Sequence, residues 1–143
     1  ESNRDISNRE PDMGNHNFET PAVALFAGRD LPLSPVTIHN GFVIVSGQTP
    51  RDPQSPSYPE VVSSDFGVQA HQVFSNMQAC LEAAGCGFEH VLKVTGFLAD
   101  WDDYPVFNEV YMEYFAEPLP ARSVVAVDLN DILLEVECIA TTH

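Results

Sequence analysis

The stretch Val36-Thr37-Ile38-His39-Asn40-Gly41-Phe42-Val43-Ile44-Val45 decides the fold class. Two short, β-branched runs flank an Asn-Gly pair. Because Asn-Gly supplies the two positive φ angles of a type I′ turn, the segment is predicted to be a β-hairpin, with Ser46-Gly47-Gln48 leaving its second strand. Thr49 to Ser64 carries Pro50, Pro53, Pro56 and Pro59 and reads as an irregular surface loop. A helix is expected from about Asp65, capped by Ser63 or Ser64, since Phe66, Ala70, Val73, Met77, Leu81 and Ala84 recur at spacings of three and four. Gly85 stops it. Val91 to Leu98 reads as a strand interrupted by Gly96. A second helix runs from Asp102 or Asp103 to about Phe115, with Pro105 tolerated in its first turn. Its Tyr104, Phe107, Tyr111, Tyr114 and Phe115 form a stripe that reads as core. Strands Ser123 to Val127 and Leu133 to Thr141 close the chain around the turn Asp128-Leu129-Asn130-Asp131. The order β-β-α-β-α-β-β predicts an α+β fold with two helices packed on one face of a mixed sheet.

With 143 residues, 44% of them hydrophobic, the chain is large enough for one cored domain. Residues 1–20 are polar and without period, and read as a disordered leader; residues 21–143 read as a single domain. No signal-peptide pattern is visible, and a chain that begins at Glu1 rather than Met reads as trimmed or tagged. Six basic residues stand against 21 acidic ones, for a net charge of -15. Phosphate backbones are held by Lys and Arg, so nucleic acid and anionic membrane surfaces are excluded as natural partners. No apolar run approaches the roughly 20 residues of a membrane span. Cys80, Cys86 and Cys138 form no CxxC pair and read as free thiols in a reducing compartment, the cytoplasm or an organelle such as the mitochondrion.

Nucleophile, metal and phosphate-loop templates are absent, and the five histidines show no ligand spacing; His71 on the first helix is the one held in reserve. Arg122 stands out. One of four basic residues after position 20, it begins a strand in Pro120-Ala121-Arg122-Ser123. A guanidinium held there can grip a carboxylate at any working pH. A structural ion pair with a local carboxylate is the competing reading. In the last strand Glu135 and Glu137 fall on one face, opposite Leu134, Val136, Cys138 and Ala140. They could orient a water or shuttle a proton, or form the wetted side of an amphipathic strand.

Six stretches carry a resemblance to the RidA/YjgF family of small imine and enamine deaminases. They are Phe42-Val-Ile-Val-Ser-Gly-Gln48, Leu81-Glu-Ala-Ala-Gly85, Val91-Leu-Lys-Val-Thr95, Phe107-Asn-Glu-Val-Tyr111, Pro120-Ala-Arg-Ser123 and Glu135-Val-Glu-Cys-Ile-Ala140, in the family's order over about residues 33–141. The resemblance implies a chorismate-mutase-like protomer and a homotrimer whose clefts lie between neighbouring subunits. It implies that Arg122 binds a substrate carboxylate and that Glu135 positions the attacking water. Ser46, Gly47, Asn108 and the backbone at Val124 match pocket-lining positions. Where the family carries a pocket tyrosine in Gly-Pro-Tyr, this chain has Leu31-Pro-Leu-Ser-Pro35, which puts Leu33 at that place. The implied activity is that of a cofactor-free hydrolase, converting a small 2-imino or 2-enamino acid to the 2-oxo acid and ammonia. Two alternatives stay open: a larger enamine or muconate-type intermediate as substrate, suited to a cleft made more apolar by Leu33, and a non-catalytic trimeric ligand-binding or chaperone-like protein.

Overall fold

A computed structural model describes residues 17–26 and 28–143. Residues 1–16 of the expected leader lie outside the described residues. The hairpin forms as its turn demands. Asn40 and Gly41 both take positive φ, 50° and 77°, between β1 (Val36–His39) and β2 (Phe42–Gln48). β2 continues three residues beyond the expected end, because Ser46 and Gly47 are absorbed as a register irregularity between Val45 and Gln48. Helix α1 (Phe66–Ala83) is capped by Asp65 itself rather than by Ser63 or Ser64: its carboxylate accepts from the Val68 N–H at 2.9 Å. At the far end Gly85, at φ 77°, donates to Glu82 and Cys86 donates to Leu81, a Schellman closure.

After β3 (Val91–Leu98) the chain enters a 3₁₀ turn, Trp101–Asp103, capped by the Asp100 carboxylate. Only then does α2 (Tyr104–Tyr114) begin, with Pro105 in its first turn. Asp103 holds the N-cap position of α2, one of the two expected, but makes no side-chain capping bond there; the carboxylate that bonds at this corner is that of Asp100, which caps the 3₁₀ turn. α2 is the crossover that lets β4 (Ala121–Ala126) lie parallel to β3; all other neighbours are antiparallel, in the order β1-β2-β5-β3-β4 with β5 spanning Leu134–Thr141. The mixed sheet and its two helices are as the sequence predicts. Glu19 pairs with Ile38 outside β1.

The core lies between helices and sheet, where Val43, Val45, Val73, Phe74, Met77, Val94, Leu98, Phe107 and Val136 are buried. Cys80, Cys86 and Cys138 are buried there as free thiols, and burial pushes the Cys80 and Cys138 thiols up to about 12, which suits packing rather than nucleophilic roles. The loop before α1 is tied down by side-chain amides: Asn76 donates to the Thr49 and Arg51 carbonyls, and Gln69 bridges Ser63 to Leu133. Arg51 holds both carboxylate oxygens of Asp131 at 3.0 and 2.9 Å. Among the described residues no helix is long and apolar enough to cross a membrane.

Candidate functional site

Arg122 enters the structure through strand register. It lies opposite Val94, which lies opposite Cys138, and both of those are buried beneath the helices. Side chains aligned across a sheet share a face, so Arg122 projects to the helix side at the outermost strand. There α2 receives it. Arg122 Nη2 donates to the Asn108 side-chain oxygen at 2.8 Å and to the Tyr104 hydroxyl at 3.2 Å. Its guanidinium carbon stands 4.7 Å from the Tyr111 ring centre and 5.3 Å from that of Phe107, within cation–π range. Among the described residues no carboxylate pairs with it, and Nε and Nη1 have no protein partner. The competing reading of a structural ion pair is therefore set aside. A cation oriented by neutral groups, with donors still open, can take an anion from outside.

Phe107 reaches this position because Gly96 lets it: a Cβ on Gly96 would sit 3.1 Å from Phe107 Cζ and 3.7 Å from Val124 Cγ2. The glycine that interrupts the β3 pattern is thus where α2 approaches the sheet closely. Val124 lies on the same face, two residues beyond Arg122. The cleft in front of Arg122, about 320 Å³, is lined by Asn108, Tyr111, Met112, Leu119 and Pro120.

Glu135 is elsewhere. It lies opposite Phe97, which lies opposite Val125, so its side chain projects from the other face of the sheet. Its neighbour is Gly47, whose added Cβ would meet Glu135 Cδ at 3.0 Å and Oε1 at 3.1 Å. Partial burial raises the Glu135 pKa above the ordinary carboxylate range, the Glu137 charge raises it further, and Arg51 works in the opposite direction. Glu137 shares that face and is exposed. Ser46 Oγ donates to the Ser34 carbonyl at 2.6 Å, which fixes the segment carrying the exposed Leu33 beside β2.

The expected site residues thus form two groups: Arg122, Asn108 and Val124 on the helix side, and Gly47 and Glu135 on the open side, with Ser46 at the C-terminal end of β2 and Leu33 in the segment bonded to it. One chain does not join them. The open face also exposes Phe42, Ile44, Val125 and Ile139. His71 contacts Tyr114 Oη at 2.7 Å and Glu113 at 3.3 Å, on the helix surface. Sequence reasoning missed Tyr104 as a partner of Arg122, because its place in the aromatic stripe hides a hydroxyl that points to the sheet. It also missed Met112 and Leu119, whose only signal is an apolar side chain outside the buried stripe.

Residues 29–142 match the family model described as Endoribonuclease L-PSP. A RutC family protein of Pyrococcus horikoshii is 42% identical over 111 residues, covering 76% of this chain and 86% of the relative. The human 2-iminobutanoate/2-iminopropanoate deaminase is 36% identical over 111 residues, covering 76% and 79%. The crystal structure of RidA from an Antarctic Psychrobacter superposes with a TM-score of 0.77 at 32% identity, covering 86% of this chain and 98% of that one. Motifs, strand order and these likenesses agree, and the chain belongs to the RidA/YjgF family, whose sequence model carries the name endoribonuclease L-PSP.

Proposed function

We propose that this protein hydrolyses a small 2-imino or 2-enamino acid to the 2-oxo acid and ammonia, in a cleft completed by two copies of the chain. The observation that carries the reading is the uncommitted guanidinium of Arg122, held by Asn108 and Tyr104 with no carboxylate partner among the described residues. It is supported by family membership that includes a human imine deaminase.

In this reading Arg122 anchors the substrate carboxylate. Glu135 of a second copy holds a water against the C=N carbon. The water oxygen bonds to that carbon, and its protons pass by way of the Glu135 carboxylate to the nitrogen. The C–N bond then breaks, the carbonyl forms and ammonia departs. The imine is already electrophilic, so positioning and acid–base help suffice. A raised Glu135 pKa suits a carboxylate that must both take and return a proton. Ser46, Gly47, Val124 and Leu33 line the same cleft, with no cofactor. The assembly is a homotrimer, favoured by the apolar side chains exposed on the open sheet face. It should elute near about 47 kDa, three times the 15.7 kDa chain. RNA is a poor substrate for a chain of net charge -15. The three buried free thiols suit a reducing compartment such as the cytoplasm.

The test is ammonia release from an imine generated in situ by an amino-acid oxidase. Wild-type protein accelerates it and Arg122→Ala does not; equal rates for the two contradict the assignment.

A further inference from the structure

The cleft before Arg122 is chemically lopsided. Its polar lining is confined to Arg122 and Asn108, which already bind one another at 2.8 Å. Leu119 and Pro120 form one wall and Met112, from α2, another. Met112 and Leu119 leave 54% and 41% of their surface exposed, so a bound molecule has apolar area to cover. The Tyr111 hydroxyl is buried away from the cleft surface and offers nothing to a ligand. At about 320 Å³ the cleft reaches the lower end of the ~300–1,000 Å³ range of small-molecule sites. A three-carbon acid would fill only part of it.

We propose that the acid taken here carries an apolar side chain of four or more carbons, and that Met112 and Leu119 are the residues that select it. The proposal rests on the carboxylate-anchoring reading of Arg122. With the carboxylate on the guanidinium, the side chain lies against the thioether of Met112 and the isobutyl group of Leu119. A charged or amide side chain placed there is desolvated without a partner. The substrates so selected are imines derived from leucine-like amino acids, and the supplying reaction is one that removes two electrons, as hydride, from the Cα–N bond of such an amino acid to an external acceptor such as a flavin or nicotinamide.

Binding of the stable 2-oxo acids tests this without requiring turnover. Trp101, the chain's single tryptophan, stacks on Tyr104 at 4.5 Å, and Tyr104 accepts from Arg122, so its fluorescence reports occupancy. 4-Methyl-2-oxopentanoate should bind at least about tenfold tighter than pyruvate, since each methylene in an apolar pocket discriminates strongly. In Met112→Ser/Leu119→Ser protein of unchanged elution volume the ratio should fall to within about threefold. Equal affinities in the wild type, a ratio that survives in the double variant, tighter binding of 2-oxoglutarate, or no saturable binding overturns the proposal. A preference for the longer acid without acceleration of imine hydrolysis upholds the proposal and overturns the deaminase reading instead.

Discussion

The side-chain oxygen of Asn108 accepts a 2.8 Å hydrogen bond from Arg122 Nη2, joining one turn of α2 to the outermost strand. The bond fixes the guanidinium in its plane while leaving Nε and Nη1 without a partner among the described residues. Hydrogen bonds to charged groups contribute about 1.5–3 kcal/mol. Asn108→Ala should therefore raise KM roughly tenfold or more through a less oriented anchor. The fall in kcat should be smaller. Steady-state kinetics check the split; an unchanged KM means that Arg122 is held adequately without Asn108.

Gly47 leaves room for the Glu135 carboxyl. An alanine there would place Cβ 3.0 Å from Glu135 Cδ, closer than ordinary contact, and the flexible carboxyl is what must move. Gly47→Ala is expected to lower kcat by about ten- to a hundredfold, as small misplacements of a proton-transfer group do. Thermal unfolding should shift little, because the displaced group is a side-chain end. A large loss of stability with kcat intact would reverse this assignment.

Glu135 also sets a pH dependence. Burial and Glu137 raise its pKa while Arg51 lowers it. If the carboxylate form positions the water, kcat/KM rises through that raised pKa. Glu137→Gln should move the acid limb to lower pH, and Arg51→Ala should move it to higher pH. The stability sign follows from the same shift. A carboxyl that holds its proton more tightly when folded contributes stability below the ordinary glutamate range and loses it as pH rises through the folded pKa. Glu135→Gln should therefore melt higher than wild type at neutral pH, with the difference vanishing in acid. A pH-independent difference would contradict the cause assigned to the shift.

Tyr111 carries a buried hydroxyl with no partner among the described residues, and burial pushes its pKa to about 12 against the pull of Arg122. Tyr111→Phe removes the unsatisfied group and keeps the ring beneath Arg122. It should leave stability unchanged or raise it by up to about 1 kcal/mol. Denaturant unfolding measures this, and a loss greater than about 1 kcal/mol would mean the hydroxyl is partnered.

The hairpin, the two helices and the closing strands were legible because each rests on local chemistry: the positive-φ pair Asn40-Gly41, the stripe from Phe66 to Leu81, the alternation from Leu134 to Ala140. The helix caps were less so, since Asp65 and Asp100 compete with neighbouring Ser and Asp residues of equal capping ability. Arg122 was legible as rare, but its partners were not, because Tyr104 and Asn108 meet it only through the β3–α2–β4 crossover. The separation of Arg122 from Glu135 was hidden for a similar reason. Face assignment across a sheet depends on register, and register between β5, β3 and β4 is set by long-range pairing.

That separation makes the central claim testable. Arg122 and Glu135 leave opposite faces of one sheet, so the proposed site takes one from each of two copies. Arg122→Ala and Glu135→Gln proteins, each inactive, should be unfolded together, refolded as a mixture and assayed for imine hydrolysis. Random assembly places an intact Arg122 opposite an intact Glu135 in about a quarter of the clefts, and about a quarter of wild-type activity should return. If the mixture stays as inactive as its components while mixed oligomers are present, both residues are needed from the same chain and the shared cleft is wrong.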